Sequence, residues 1–459
     1  MYYVSTRDVN KVKISASRAV VNGPAPDGGL YVPCEFPKLH DFAGKPYDKI
    51  AFKVLRSYFT DFSAEELNEY IKSAYGYQLP VKVSGNYLEL FHGRTAAFKD
   101  VALQLYPYLL SSALKKNDVT KIAVVLVATS GDTGSAVIAG MANVPAMQAI
   151  VFYPDNGVSD VQKLQMTTQV GRNISVFAVK GNFDDAQEAV KEIFEDTHFQ
   201  AGFADDFIFT SANSINIGRL IPQIVYYFFA YSELAQSGRI REGDAINFAV
   251  PTGNFGNILA GYYASNMGLP INKLICATNS NNVLCDFIKT GTYDKKRDFN
   301  LTLSPSMDIL LSSNLERLIY DIGGCDAVNK AYGSLKETGE FHIDTPISIL
   351  DSEFVSDTET LHAIKTIYIT KKYIMDPHTA VGQFAYDKYK KRTGDETPTI
   401  IVSTASPYKF PETIKSALGD DAPDNPPKSI RDLLGKPILH DEVITIGDIR
   451  KVLGAVLAE

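Results

Sequence analysis

The stretch IAVVLVATSGDTGSAVIAGM, Ile122 to Met141, joins an apolar run, a polar turn containing glycine, and a segment rich in alanine and valine. The run Ile122 to Ala128 predicts a β-strand, Thr129 to Asp132 a turn, and Gly134 to Met141 a helix. The first turn of a helix presents free backbone N–H groups and the positive end of the helix dipole, which favour a bound anion. The stretch therefore predicts either a site for a carboxylate or phosphate, or a plain turn between strand and helix.

The tetrapeptide Asp132-Thr133-Gly134-Ser135 in the same stretch is also the signature of an aspartic protease. A monomeric aspartic protease needs two such loops whose aspartates share one proton, and no second Asp-Thr-Gly occurs in the chain. Ser130 and Gly131 also separate Asp132 from its strand. We therefore prefer the anion-binding interpretation and keep an aspartic protease, or a catalytically inert binding protein, as remote alternatives.

The pattern of the opening stretch repeats along the chain, because short apolar runs alternate with longer segments of helical spacing. Further runs of strand length lie at 149–153, 174–179, 207–210, 246–250 and 274–278. Such alternation indicates an α/β fold with parallel sheets and crossover helices, and near-continuous apolar strands suit sheets covered on both faces. Ligands are therefore expected at the carboxyl ends of these strands.

The same rhythm divides the chain into three predicted domains. Residues 1–90 lack the alternation and are predicted to form an N-terminal domain, followed by α/β domains at 91–240 and 241–459. The segment LGDDAPDNPP, Leu418 to Pro427, predicts an exposed break before a small final element.

The composition excludes several classes of partner. The 459 residues carry 45 basic and 53 acidic side chains, a net charge of −8, and 45% are hydrophobic. This content is enough to bury more than one core, and the chain has no basic block of the kind that binds nucleic acid. The N-terminus is charged where a signal peptide needs an apolar core, and no apolar run approaches the roughly 20 residues of a membrane span. A soluble, cytosolic protein that contacts neither nucleic acid nor membrane is expected.

The cysteines and histidines give no metal signature. The four cysteines lie far apart and form no C-x-x-C pair, which predicts reduced thiols rather than disulfides or a zinc site; they are Cys34, Cys276, Cys285 and Cys325. Asp376 and His378 suggest a general base, but without a located nucleophile we interpret them as structural. No metal is predicted.

A second glycine turn lies in VPTGNFGN, Val250 to Asn257. It follows the predicted strand 246–250, and its glycines and the intervening amides suit a phosphate cradle. It matches neither a Walker motif nor G-x-G-x-x-G, so a tight turn without a ligand stays open as an alternative.

A lysine precedes both turns in the sequence FHGRTAAFKD, where Lys99 lies at the start of a predicted helix. A lysine there is commonly a solvated helix residue. Beside two anion cradles, however, Lys99 is a candidate for a Schiff base with an aldehyde cofactor whose phosphate needs a cradle. That combination describes pyridoxal phosphate (PLP).

Several motifs in order, over some 300 residues, resemble the threonine synthase family: FHGRTAAFKD, ATSGDTGSA, NSINIGR, VPTGNFGN and STASPYKF. The opening MYYVSTRD and PDGGLYVP are similar to the family's N-terminus. The resemblance implies two mostly parallel-sheet domains of the tryptophan-synthase β-like PLP fold plus an N-terminal domain. It also implies PLP-dependent conversion of O-phospho-L-homoserine and water into L-threonine and phosphate.

The resemblance also assigns roles to individual residues. Lys99 carries the cofactor, Thr404 or its neighbour Ser403 faces the pyridine nitrogen, and the cofactor phosphate is held by Gly253, Asn254, Phe255, Gly256 and Asn257. The substrate carboxylate is bound by Ser130, Gly131, Asp132 and Thr133. The substrate phosphate is bound by Ser214, Asn216 and Arg219, whose guanidinium suits that anion; for Arg219 a surface helix position is the alternative.

Three departures from the family pattern occur: Arg94, where the family usually has proline; Ser406 and Tyr408 in STASPYKF; and Asp132, where related PLP enzymes often have asparagine although aspartate is usual in this branch. The first two bear on the fit of the substrate more than on the cofactor. The sequence leaves open a related PLP phospholyase or dehydratase, which needs the same cradles, and it does not decide between a monomer and a homodimer.

Overall fold

The computed structural model describes residues 1–344 and 347–458. The N-terminal unit consists of β1 (Tyr2–Ser5), β2 (Ile14–Ser15), α1 (Ala16–Asn22), β3 (Tyr31–Pro33), α2 (Tyr47–Tyr58) and α3 (Ala64–Tyr75). Its strands form an antiparallel sheet in the order β2-β1-β3. Helix α3 begins at a capping box, in which Ser63 and Glu66 bond each other's backbone amides.

Strands and helices then alternate through the middle of the chain. The elements are β4 (Lys82–Ser84), β5 (Tyr87–Glu89), α4 (Lys99–Leu103), α5 (Tyr106–Lys116), β6 (Ile122–Ala128), α6 (Asp132–Met141), β7 (Met147–Pro154), α7 (Asp160–Thr167), β8 (Ile174–Lys180), α8 (Phe183–Glu195), α9 (Thr197–Ala201), β9 (Phe207–Ser211) and α10 (Ile217–Gln236). The strand runs predicted in this part of the chain are confirmed.

The alternation continues to the end of the chain. The elements are β10 (Ile246–Pro251), α11 (Gly256–Asn266), β11 (Ile271–Thr278), α12 (Val283–Thr290), β12 (Thr292–Asp294), α13 (Leu315–Thr338), β13 (Glu340–His342), β14 (Leu350–Phe354), α14 (Asp357–Lys371), α15 (Pro377–Thr393), β15 (Thr399–Ser403), α16 (Pro411–Leu418), α17 (Lys428–Arg431), β16 (Val443–Thr445) and α18 (Ile449–Ala458).

Two large sheets organise these elements. Sheet I has the order β16-β8-β7-β6-β9 and all its neighbours pair in parallel. Sheet II has the order β14-β11-β10-β15-β5-β4 and is parallel except for the edge pair β4 and β5. The predicted α/β class, with two mostly parallel sheets and an N-terminal unit, is confirmed.

The central strands are buried on both faces, which explains their unbroken apolar sequences. Strand β10 is buried over its whole length, and β6 is buried from Ala123 onward. One face of sheet I packs against α8 and α18, whose Leu453 is fully buried. One face of sheet II packs against the helices α14, α15 and α16. The inner faces and the N-terminal unit share a large common core.

Two strand pairings cross the predicted domain boundaries. Strands β4 and β5 precede residue 90, yet β5 pairs with β15 in sheet II. Strand β16 lies near the end of the chain, yet it pairs with β8 in sheet I. Each large sheet therefore contains a strand from the other side of a predicted boundary. The division at residues 90 and 240 stays a prediction.

None of the helices within the described ranges combines the length and apolar character that a membrane span requires.

Candidate active site

A central cavity lies where the carboxyl ends of sheet I and sheet II face each other. The residues lining it include most of those singled out in the sequence: Lys99, Ser130, Asp132, Thr133, Ser214, Arg219, Gly253, Asn254, Phe255, Gly256, Asn257 and Thr404. Three predicted residues are not brought to its wall: Gly131, Asn216 and Ser403. The strand topology thus assembles groups that are far apart in the sequence.

Lys99 is positioned by backbone contacts between two distant segments. Phe98 donates its N–H to the Thr404 carbonyl at 2.8 Å, and Ala97 forms an isolated bridge with Ala405. The turn before the helix is fixed by Asp100, whose carboxylate accepts from both the backbone and the hydroxyl of Thr95 at 2.8 and 2.7 Å. Helix α4 then begins at Lys99, as predicted.

The amine of Lys99 is buried and its charge is only loosely compensated. Its Nζ lies 3.8 Å from Oδ2 of Asp132. Burial lowers the pKa of Lys99 from 10.5 to about 8, with Asp132 raising it and Arg219 and Lys409 lowering it further. An amine with such a pKa is partly neutral near physiological pH, which a nucleophilic lysine requires.

The turn after β6 is shaped by Thr129 and Gly131. The Thr129 hydroxyl accepts from the backbone N–H groups of Gly131 and Gly134 at 3.0 and 2.9 Å. Gly131 has φ of +120°, and a Cβ there would approach the Gln162 side chain to 2.6 Å. Gly131 therefore serves the geometry of the turn, and its position does not support a direct contact with substrate.

Asp132 is the first residue of α6 and is held ionised by its neighbours. Its Oδ1 accepts from Lys409 Nζ at 2.8 Å and from Gln162 Nε2 at 2.8 Å. Although burial favours the neutral acid, Lys409 and Lys99 hold the pKa of Asp132 well below its usual range. An aspartic protease needs an aspartate that shares a proton with a second carboxyl group, and this aspartate lies between two lysines instead.

The turn after β10 has the geometry of a phosphate cradle. Phe255 takes a left-handed conformation with φ of +64°, and no side chain caps the N-terminus of α11. A Cβ at Gly253 would lie 2.8 Å from the Ser306 carbonyl oxygen. The Asn257 Oδ1 accepts from two tyrosine hydroxyls, whereas its buried Nδ2 has no partner among the described residues. Free amides and an unsatisfied amide donor together favour an anion.

Arg219 lies in the first turn of α10 and is buried rather than on the surface, with 3% of its area exposed. Its Nη1 donates to the Ala212 carbonyl at 2.9 Å, and its buried Nε has no partner among the described residues. Burial lowers the pKa of Arg219 to about 10. The described residues place no carboxylate within ion-pair distance of this guanidinium, so it is suited to an anionic ligand.

Asn216 and Ser403 belong to the scaffold around the cavity. The Asn216 Nδ2 donates to Val20 O, Tyr106 Oη and Ser211 O, and its Oδ1 caps α10 at the Gly218 N–H. The Ser403 hydroxyl lies 3.0 Å from the hydroxyl of Thr379. These polar atoms already have protein partners, so the structure offers no support for ligand contacts by Asn216 and Ser403, and Thr404 is the hydroxyl of the pair that lines the cavity.

His378 also lines the cavity, although the sequence suggested a structural role. Its Nδ1 lies 2.8 Å from Asp376 Oδ1, and its Nε2 accepts from the Ser306 N–H at 3.2 Å. This pattern assigns a proton to Nδ1 and makes Nε2 the acceptor. His378 thereby holds the Ser306 loop against the cavity, which is a positioning role.

Two important residues were missed by the sequence analysis. Lys409 and Gln162 both bind the Asp132 carboxylate, and Lys409 is fully buried. Lys409 lies between a tyrosine and a phenylalanine in STASPYKF. A lysine between two aromatic residues could have suggested a buried ion pair. Gln162 gave no such signal, because it is the N3 residue of the capping box that opens α7.

The departures from the family pattern at Arg94, Ser406 and Tyr408 lie outside the cavity wall. Arg94 is exposed, and its Nη1 donates to the Ala139 carbonyl at 3.5 Å. Ser406 is buried and its N–H bonds the Ala96 carbonyl at 3.0 Å. Neither these two residues nor Tyr408 lines the cavity.

The residues present fit pyridoxal phosphate. The buried amine of Lys99 suits its aldehyde, the uncapped α11 cradle with Asn257 suits its phosphate, and Thr404 offers a hydroxyl for its ring nitrogen. No cluster of three or more potential metal ligands occurs within residues 1–344 and 347–458; the absence of a metal stays a prediction.

Family models match most of the chain. The model described as pyridoxal-phosphate dependent enzyme matches residues 87–405. The models described as threonine synthase N terminus and threonine synthase, C-terminal match residues 2–75 and 379–452.

Individual threonine synthases and related proteins are also similar to this chain. The chain is 39% identical over 444 residues to the threonine synthase of Pseudomonas aeruginosa, covering 92% of each chain. It is 42% identical to the human protein named threonine synthase-like 1, where the match covers 91% of this chain and 60% of the human protein. A crystal structure of PLP-bound threonine synthase from Brucella melitensis superposes with a TM-score of 0.88 at 35% identity, covering 100% of this chain and 99% of that one. The chain therefore belongs to the threonine synthase family of pyridoxal-phosphate-dependent enzymes.

Proposed function

We propose that this chain converts O-phospho-L-homoserine and water into L-threonine and phosphate, with pyridoxal phosphate linked to Lys99. The observation that carries the proposal is a buried amine that lines the same cavity as the N-terminus of α11 and the buried guanidinium of Arg219. The cradle at the N-terminus of α11 suits the cofactor phosphate. Arg219 then remains for a second phosphate, which a phosphorylated amino acid supplies.

The protein groups divide the work of binding. Ser130 and the backbone amides of Asp132 and Thr133 at the start of α6 bind the substrate carboxylate. Arg219 binds the substrate phosphate and stabilises its charge as it leaves from Cγ. Asp132, fixed by Lys409 and Gln162, keeps its charge directed at donors of the protein and away from the carboxylate of the substrate.

The chemistry is divided between the cofactor and Lys99. Bound pyridoxal phosphate supplies the electron sink for the electron pair left at Cα when its proton is removed. The neutral amine of Lys99 takes the proton from Cα and moves protons at Cβ and Cγ. The net reaction releases phosphate from Cγ, turns Cγ into a methyl group and adds the water oxygen at Cβ. Thr404 would offer a neutral hydroxyl to the ring nitrogen, which would moderate the sink and favour elimination over transamination.

The second candidate is a phospholyase or dehydratase of related phosphorylated or hydroxylated amino acids. Such an enzyme needs the same two anion sites and the same lysine. It differs in releasing a 2-oxo acid instead of adding water at Cβ.

Product analysis separates the two candidates. The purified chain with pyridoxal phosphate is incubated with O-phospho-L-homoserine, and threonine, 2-oxobutyrate and homoserine are quantified. Threonine with an equal amount of phosphate is the expected result, and Lys99→Ala serves as the inactive control. 2-Oxobutyrate as the main product would favour the lyase, and no conversion by a yellow, folded protein would overturn the proposed synthase.

The small-molecule partner is therefore a phosphorylated amino acid. A cytosolic location, the absence of nucleic-acid and membrane partners, and the choice between monomer and homodimer stay predictions from the sequence.

A further inference from the structure

Lys409 is a buried cation whose contacts converge on the cavity. Its side chain has no exposed area, and its Nζ donates to Asp132 Oδ1 at 2.8 Å and to the Thr95 carbonyl at 2.9 Å. Both partners lie beside Lys99: Thr95 is in the turn that leads into α4, and Asp132 begins α6. A charged ammonium is buried only when its surroundings compensate it, and Asp132 is the carboxylate to which Lys409 donates.

Two lysine amines lie near the Asp132 carboxylate. Lys409 is in hydrogen-bond contact with one oxygen, whereas Lys99 stands 3.8 Å from the other. Gln162 donates to the same oxygen as Lys409, at 2.8 Å. Lys99 therefore has no hydrogen bond to Asp132, although it is closer than Lys409 to Asp132 in the sequence.

We propose that Lys409 is a positioning residue that binds the Asp132 carboxylate and thereby keeps the Lys99 amine from forming a hydrogen bond with that carboxylate, so that the amine can attack the cofactor aldehyde. In that attack the amine nitrogen forms a C=N bond with the aldehyde carbon, and the carbonyl oxygen leaves as water with the two amine protons. The inference rests on the part of the proposed function that links the cofactor to Lys99. It does not depend on which amino acid is the substrate.

The charges around Lys99 agree with this assignment. Asp132 on α6 raises the pKa of Lys99, while Arg219 on α10 and Lys409 after β15 lower it. Asp100 faces the Thr95 turn, and burial is the main cause that raises its pKa to about 6. Lys409 lowers the pKa of Asp100, whereas Asp132 raises it. Loss of the Lys409 charge removes one of the effects that favour the neutral amine and releases Asp132 to pair with Lys99.

The test is the pH dependence of cofactor loading. The full chain freed of pyridoxal phosphate is mixed with the cofactor at a series of pH values, and the rate of appearance of the yellow lysine-linked chromophore is recorded. For Lys409→Met the inflection is expected at higher pH by about one unit, which makes loading about tenfold slower below it. For Asp132→Asn the inflection is expected to move to lower pH.

The double variant separates positioning from a purely structural role. If Lys409 acts through Asp132, adding Lys409→Met to Asp132→Asn shifts the inflection much less than Lys409→Met shifts it alone. Equal shifts in both backgrounds would overturn the proposal. If Lys409→Met alone fails to fold, the double variant is expected to fold, because no unpaired carboxylate remains; failure of both would show that Lys409 serves only the fold.

Lys163→Met is the matched control, because Lys163 pairs with Asp155 at 3.3 Å near the surface and is absent from the cavity wall. Its inflection is expected to equal that of the wild type. A folded Lys409→Met with the wild-type inflection would contradict the proposal. The outcome is distinguishable from failure of the proposed function, since a chain with no threonine synthase activity can still show the shifted loading profile.

Discussion

The protonation of one buried amine decides much of the chemistry at the scale of single residues. Burial lowers the pKa of Lys99 from 10.5 to about 8, partly opposed by Asp132. Between these values the unfolded chain holds a proton that the folded chain lacks, so this lysine makes folding more favourable as the pH rises. Below the lower value both states are protonated, and the folded protein bears the full cost of a buried ammonium.

This cost predicts a pH-dependent difference in stability. We expect cofactor-free Lys99→Met to have a free energy of unfolding about 3 kcal/mol above the wild type at neutral pH, at about 1.4 kcal/mol per pKa unit. The advantage should disappear as the pH approaches 10.5, the ordinary pKa of lysine. Urea unfolding of both proteins from neutral to alkaline pH measures it. A difference that does not change with pH would contradict the lowered pKa.

The buried guanidinium of Arg219 gives a second prediction for a single residue. Arg219→Ala is expected to raise KM for the phosphorylated substrate by about tenfold to a hundredfold, since a hydrogen bond to a charged group contributes about 1.5–3 kcal/mol. The affinity for pyridoxal phosphate should change little, because the α11 cradle is a separate site. Steady-state kinetics and cofactor titration give the two numbers.

Arg94→Ala is the control for loss of an arginine, because Arg94 is exposed and lies outside the cavity wall. Its KM and cofactor affinity are expected to match the wild type. Equal losses of cofactor and substrate binding in Arg219→Ala would show that the two phosphates do not occupy separate sites.

The sequence predicted residues of the cavity well where they follow strands, and less well where they act through tertiary contacts. Lys99, Arg219 and Thr404 reach the cavity as expected. Asn216 lies in the same motif as Arg219, but the start of α10 uses its carboxamide as a cap and a cross-link. A motif gives the order of residues, whereas the direction of each side chain depends on neighbours from other parts of the chain.

At the scale of elements, the two turns between strand and helix carry the binding chemistry. The turn after β6 requires Gly131, because its φ is +120° and a Cβ there would meet the Gln162 side chain at 2.6 Å. Displacing Gln162 also removes a donor from Asp132. The shape of this turn and the charge of the cavity are therefore coupled.

Gly131→Ala is expected to destabilise the protein by about 1–3 kcal/mol from backbone strain and to alter the visible spectrum of the bound cofactor. Gly157→Ala is the matched control, because Gly157 has φ of +107° but open space around its Cβ position. It should show the strain in thermal unfolding and leave the spectrum unchanged. The same spectral change in both variants would mean that strain alone, without the displacement of Gln162, perturbs the site.

The elements that the sequence predicted best are the long apolar strands, since burial on both faces gives them a clear pattern. The short edge strands are different. Strand β16 has only three residues, of which Ile444 alone is buried. Such a strand is stabilised by its pairing with β8 rather than by its own sequence, so no local pattern announces it.

At the scale of the whole molecule, the end of the chain completes the first sheet. Strand β16 extends sheet I, and α18 covers one of its faces with fully buried Leu453. The turn after β6 lines the cavity and follows a strand of the same sheet. The C-terminal segment therefore stabilises the sheet that positions this turn.

This closure predicts a stability effect far from the cavity. Leu453→Ala is expected to lower the free energy of unfolding by about 2–5 kcal/mol, as deletions of buried leucine side chains do. Val443→Ala, at an exposed position of β16, should have little effect. Chemical denaturation of both variants measures the difference. Similar small losses in both would show that α18 does not pack stably on sheet I.

The most direct measurement of the central claim follows the oxygen of water. The chain, loaded with pyridoxal phosphate, is given O-phospho-L-homoserine in water enriched in the heavy isotope of oxygen, and the products are examined by mass spectrometry. We predict threonine with one heavy oxygen at Cβ and phosphate without heavy oxygen, because the C–O bond at Cγ breaks and water adds at Cβ. Homoserine with labelled phosphate, or 2-oxobutyrate without threonine, would contradict it.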